Sequence, residues 1–117
     1  MESIVKEKSY KFAVRIVKLY QHLSVKNREY VMSKQVVRCG TSIGANVREA
    51  LQGQSKADFT AKMSIALKEA SETEYWLELL RDTEYLSGSA YNSMQIDCSE
   101  IAKMLTSIVK TSRKKNL

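Results

Sequence analysis

Two glycines four residues apart, Gly40 and Gly44, sit inside a stretch that otherwise reads as helix, residues 33–54 (SKQVVRCGTSIGANVREALQGQ). A glycine in a helix interior costs about 1 kcal/mol relative to alanine, so a chain that keeps two has a packing reason for them. Close approach of another helix is the usual one. One step round the same helix, Ser42, Asn46 and Glu49 follow at spacings of four and three and therefore share a face. Such a helix demands partners on more than one side.

The rest of the chain supplies them. Its 117 residues include no proline and four glycines, a composition that favours helix throughout. A first helix over about 3–23 carries Val5, Ser9, Phe12, Ile16, Leu19 and Leu23 at alternating steps of four and three, a bundle seam. Ala13, Val17 and Tyr20 widen its apolar face. A connection over 24–32 follows, with Asn27 or Ser33 as the expected N-cap of the second helix, 33–53. There Val36, Gly40, Ile43, Val47 and Ala50 make the core stripe, flanked by Val37, Gly44 and Leu51.

Ser55-Lys56-Ala57-Asp58 resembles a capping box and opens a third helix over about 56–86. Its inner stripe is Phe59, Met63, Ala66, Ala70, Thr73, Leu77 and Leu80, and the small residues at 66, 70 and 73 suit a glycine-bearing neighbour. Ile65, Trp76 and Leu79 lie roughly 100° away from that stripe; this apolar bulk reads as a homo-oligomer interface. After a turn at Ser87-Gly88-Ser89, a fourth helix over about 90–112 presents Tyr91, Met94, Cys98, Ile101, Leu105 and Ile108. Four long helices with short connections predict an all-α, single-domain, antiparallel up-down-up-down four-helix bundle spanning 1–117.

Charge is segregated along this bundle. Residues 1–55 hold ten Lys/Arg against four Asp/Glu, residues 56–100 four against nine, and residues 101–117 five against none, within a net charge of +6. Two readings stand: binding of a polyanion, or complementary charges meeting between helices or subunits. Lys8, Lys11, Arg15 and Lys18 form a basic stripe on the first helix, either a solvated face or a phosphate track. Arg113, Lys114 and Lys115, preceded by Lys110, suit a helix C-terminus and equally a tail recruited to RNA.

Catalytic constellations are missing from the pattern. His22 is the single histidine and reads as a capping or surface group, and a carboxylate di-metal site needs two Glu-x-x-His pairs. Cys39 and Cys98 have neither metal spacing nor a nucleophile motif; they read as buried free thiols, with a disulfide or redox role as the other reading. GTSIGAN lies in a helical pattern and is no phosphate-cradling loop. Ser42, Asn46 and Glu49, with Glu72 and Glu74, could be paired carboxylates for acid–base work or polar groups that bond one another and fix helix register, with Arg38 and Arg48 as counter-ions. No enzyme, cofactor, metal or small-molecule substrate is expected. No stretch approaches the roughly 18 apolar residues of a membrane span and the start is no secretory signal, so no membrane is expected and the cytoplasm is the expected compartment.

The order of Gln35-x-x-Arg38, SIGANVREA, Ala66-Leu67 and then Glu72 and Glu74 resembles the family called four helix bundle proteins or 23S rRNA-intervening sequence proteins. The family pattern Ser-Ile-x-x-Asn-Ile-x-Glu falls on Ser42, Ile43, Asn46, Val47 and Glu49. Ala50 stands where many members have glycine, Lys68-Glu69 where many have Gly-Ser, and the first connection lacks the proline often found there; these read as surface or loop changes. The resemblance implies a bacterial bundle like those encoded within insertions in 23S rRNA genes. It also implies likeness to the accessory variability protein of diversity-generating retroelements, a basic five-fold ring that associates with nucleic acid and a reverse transcriptase. The expectation is thus a homo-oligomeric, pentameric ring binding structured RNA or a nucleoprotein partner. The nucleic-acid residues would be Lys8, Lys11, Arg15, Lys18, Arg38, Arg48, Lys110, Arg113, Lys114 and Lys115. With no stacking aromatics interleaved among these cations, binding would be phosphate-led and weakly sequence-specific. The alternative is a structural or protein-interaction module with no nucleic-acid role.

Overall fold

The computed structural model describes residues 3–115 and is a four-helix bundle of 48 × 24 × 20 Å. Helices α1 (Ile4–Gln21), α2 (Met32–Leu51), α3 (Lys56–Asp82) and α4 (Gly88–Lys115) follow one another up and down, and α1 closes against α4. The seam residues supply the core: Phe12, Ile16, Val36, Ile43, Val47, Leu77, Leu80, Ile101 and Leu105 are all fully buried. In α4 the last core position is Val109, with Ile108 only half-buried, because the stripe steps by four after Leu105. Ala50 is 2% exposed, so it is a core position and not the surface change its place in the family pattern suggested.

The two glycines answer to α1, not to the small residues of α3. A Cβ at Gly40 would stand 2.8 Å from the Cγ atoms of Ile16, and one at Gly44 would stand 3.3 Å from the Ser9 carbonyl oxygen. The missing side chains let α1 settle onto α2. The small stripe of α3 makes room instead for sulfur: Cys98 Sγ of α4 reaches the Ala70 carbonyl at 3.5 Å, and Thr73 lies beside Cys39 of α2.

Both of the longer connections depart from expectation. Beyond Gln21 the chain widens into a π-helical turn, His22–Lys26, where Ser24 Oγ donates to the Tyr20 carbonyl at 2.8 Å. Neither Asn27 nor Ser33 caps α2. The Glu29 carboxylate does so, accepting from the backbone N–H groups of Val31 (3.1 Å), Met32 (3.0 Å) and Ser33 (2.7 Å). Ser33 lies within α2 and donates its hydroxyl back to the Glu29 carbonyl at 2.7 Å. Arg28, at φ 54°, makes the reversal that aims Glu29 inward.

Helix α3 stops at Asp82, four residues before the expected end. Glu84 adopts φ 67°, while the N–H groups of Tyr85 and Glu84 bond the carbonyls of Leu80 (2.9 Å) and Arg81 (3.1 Å). That pairing is a Schellman motif. Glutamate occupies the left-handed position where glycine is usual, which hid the stop from the sequence. Helix α4 starts two residues earlier than expected, capped by Ser87 Oγ, which accepts from the Ala90 N–H at 3.1 Å. The Ser55 cap is as expected, its Oγ accepting from Asp58 N–H at 3.0 Å.

Candidate functional site

The basic stripe of α1 faces the acidic flank of α4. Lys8 Nζ lies 2.6 Å from Glu100 and Arg15 lies 2.6 Å from Asp97, with Arg15 also donating to the Ser93 carbonyl and hydroxyl at 3.2 and 2.8 Å. Lys11 pairs with Glu7 one turn back at 3.1 Å. The hydrogen bond that Lys8 donates to Glu100 holds its ammonium above its usual pKa. Lys18 makes no ion pair among the described residues. Exposed pairs of this kind contribute little stability, but they offset most of the stripe's field.

A second charged seam joins α2 to α3. Arg38 is gripped by Gln35, by Glu69 at 3.5 Å and by Glu72, whose carboxylate also accepts from Trp76 Nε1 at 3.0 Å. Further along, Lys62 reaches Glu49 at 3.2 Å. Asn46 keeps its bonds inside α2, donating to the Ser42 carbonyl (2.9 Å) and hydroxyl (3.0 Å). Glu74 stands on the opposite flank of α3, near Cys98. The structure therefore does not gather Ser42, Asn46, Glu49, Glu72 and Glu74 into one site. Of the interface candidates, Ile65 is 42% exposed, while Trp76 and Leu79 are half-buried, Trp76 against the core and edge-on to Tyr75.

Two places hold cations differently. On the last turns of α4, Lys110, Arg113 and Lys114 line one groove of about 410 Å³ with Leu67, Thr106 and Val109. None of the three pairs with a carboxylate among the described residues. The side chain of Lys115 lies outside the described residues. Arg48, named above as a counter-ion, meets no carboxylate among the described residues; its guanidinium lies over the Tyr10 ring, 5.1 Å from the centroid. This Arg–Tyr stack joins residues 38 positions apart, so scanning for aromatics between neighbouring cations could not find it.

The two cysteine thiols are shielded. Burial pushes the Cys98 thiol up to about 12 and the Cys39 thiol above its ordinary value, and both are fully buried. Thiolate, the reactive form, is therefore scarce at both. Both thiols are expected to stay unmodified by a thiol-titrating reagent in the native protein and to react fully in denaturant; rapid native labelling would contradict the packing. Among the described residues no group of three or more His, Cys, Asp or Glu side chains could hold a metal ion, and no helix is long and apolar enough to cross a membrane.

The sequence profile of the 23S rRNA-intervening sequence proteins matches residues 1–107. The chain belongs to that family. A crystal structure from Bacteroides thetaiotaomicron VPI-5482, of a protein of unknown function in the S23 ribosomal protein family, superposes with a TM-score of 0.90. It is 61% identical, over 92% of this chain and 96% of that one. No curated protein matches the chain. Membership accounts for the bundle, and the profile match ends before Lys110, Arg113 and Lys114.

Proposed function

We propose that this family member is a non-catalytic adaptor that holds the phosphate backbone of structured RNA against the bundle end where α4 finishes. The observation that carries the reading is the contrast between the two sets of cations. Lys8, Arg15 and Arg38 are matched by carboxylates across the helix seams and Lys11 by Glu7 within α1, whereas Lys110, Arg113 and Lys114 share one groove without a carboxylate partner among the described residues. Unmatched cations at helical spacing suit a phosphate track. The ribosomal names of the family and of its Bacteroides relative lean the same way, toward RNA. The adaptor works as a homo-oligomeric, five-fold ring, with Ile65, Trp76 and Leu79 at the subunit contact. A ring multiplies a weak phosphate contact through avidity.

A structural or protein-interaction module is the second reading. It is favoured by the cross-helix pairs Lys8–Glu100, Arg15–Asp97 and Arg38–Glu72, which absorb much of the charge segregation inside one chain. Titrating labelled structured RNA at several salt concentrations separates the two. The wild-type protein is expected to bind saturably with a steep salt dependence. The triple change Lys110→Glu, Arg113→Glu, Lys114→Glu is expected to weaken binding on the order of 100-fold and flatten the salt slope by about two to three phosphates. No binding at low salt, or a variant that binds as well as wild type, would sink the proposal.

A further inference from the structure

The start of α1 and the end of α2 enclose an open cleft of about 720 Å³ lined by Ser3, Lys6, Glu7, Tyr10, Lys11, Arg48 and Leu51. By the antiparallel order of the helices this cleft stands at the bundle end where α4 finishes. Its floor is unusual for an exposed helix seam. Tyr10 is 54% exposed and Leu51 44%, and the Arg48 guanidinium lies over the phenol ring. The one carboxylate in the lining, Glu7, is occupied by Lys11 at 3.1 Å. Lys6 and Arg48 have no carboxylate partner among the described residues. The cleft thus combines a flat aromatic–guanidinium platform, an aliphatic wall and two uncompensated cations.

We infer that the α1–α2 cleft, with Tyr10 and Arg48 as platform and Lys6 beside them, receives an unpaired nucleotide of a bound RNA. Unstacked bases are held on aromatic rings and guanidinium planes with little dependence on base identity, and the cations would meet the flanking phosphates. A base-paired nucleotide cannot enter, because its faces are already stacked within the helix. The inference rests on the nucleic-acid reading above and adds to it a preference for unpaired over duplex RNA.

The test compares a blunt RNA duplex with the same duplex bearing an unpaired overhang, titrated against wild type, Tyr10→Ala and Tyr10→Phe. Tyr10 is largely exposed, so its variants are expected to fold, and the duplex affinity serves as internal control. Wild type is expected to prefer the overhang RNA roughly ten-fold, the gain of one aromatic–base stack. Tyr10→Ala should lose that preference while keeping its duplex affinity, and Tyr10→Phe should retain it. An unchanged preference in Tyr10→Ala would overturn the cleft assignment alone. Absence of binding to either RNA would overturn both this inference and the reading beneath it.

Discussion

Leucine at position 40 is expected to cost the bundle about 3 kcal/mol or more, and alanine there about 1–2 kcal/mol. Even a single added Cβ meets Ile16 at 2.8 Å, at the two atoms nearest the Ile16 Cβ. That side chain is fully buried and branched close to the backbone, so it has no flexible end to swing aside. Overfilling a packed core costs about 1–3 kcal/mol and at times more, against a gain of about 1 kcal/mol in helix propensity on replacing glycine. Gly44→Ala is the matched control. Its Cβ would meet the Ser9 carbonyl oxygen at 3.3 Å, a contact a slight shift of α1 relieves, and the net change should stay within about 1 kcal/mol. Chemical denaturation of the three variants measures this directly. Equal stability of Gly40→Leu and wild type would show that α1 does not pack on α2 through this position.

Glu29→Ala is expected to rank next, at about 2–3 kcal/mol, with a fall in Tm on the order of 10 °C. The change strips the acceptor from three N–H groups at the start of α2, the Ser33 N–H among them being buried. Burial by itself would raise the pKa of Glu29, but the bonds from Ser33, Met32 and Val31 together hold it below its ordinary value of 4.5. A carboxyl with a depressed folded pKa contributes its stability above the unfolded value and loses it as pH falls through the folded one. Wild type should therefore exceed Glu29→Gln in stability at neutral pH, and the gap should close as the pH falls below the ordinary value of 4.5 and through the depressed folded one. A gap independent of pH would mean that the carboxylate charge plays no part in the cap.

The two variants divide the molecule into what local pattern reveals and what it conceals. Four helices, their order and most of the buried seam follow from apolar residues recurring every three or four positions, a signal each segment carries alone. The Ser55 cap is legible for the same reason, since serine and Asp58 N–H meet within one turn. Glu29 escaped because it is a glutamate acting where serine or asparagine is expected, and it reaches the N–H groups only after Arg28 turns the chain. The end of α3 escaped likewise, with glutamate in a position glycine usually holds.

The charges make the same point about function. Composition establishes an excess of cations in the first and last segments, and nothing in a composition says which of them already face a carboxylate. That depended on the antiparallel closure of α1 against α4, which set Lys8 and Arg15 opposite Glu100 and Asp97 while α4 carried Lys110, Arg113 and Lys114 onward without a carboxylate partner among the described residues. The packing of α1 on α2 laid Arg48 over Tyr10. Periodicity is written residue by residue, so the sequence alone determined the helices and the core they share. Long-range electrostatics and stacking depend on which helix faces meet, and only the tertiary structure decided that.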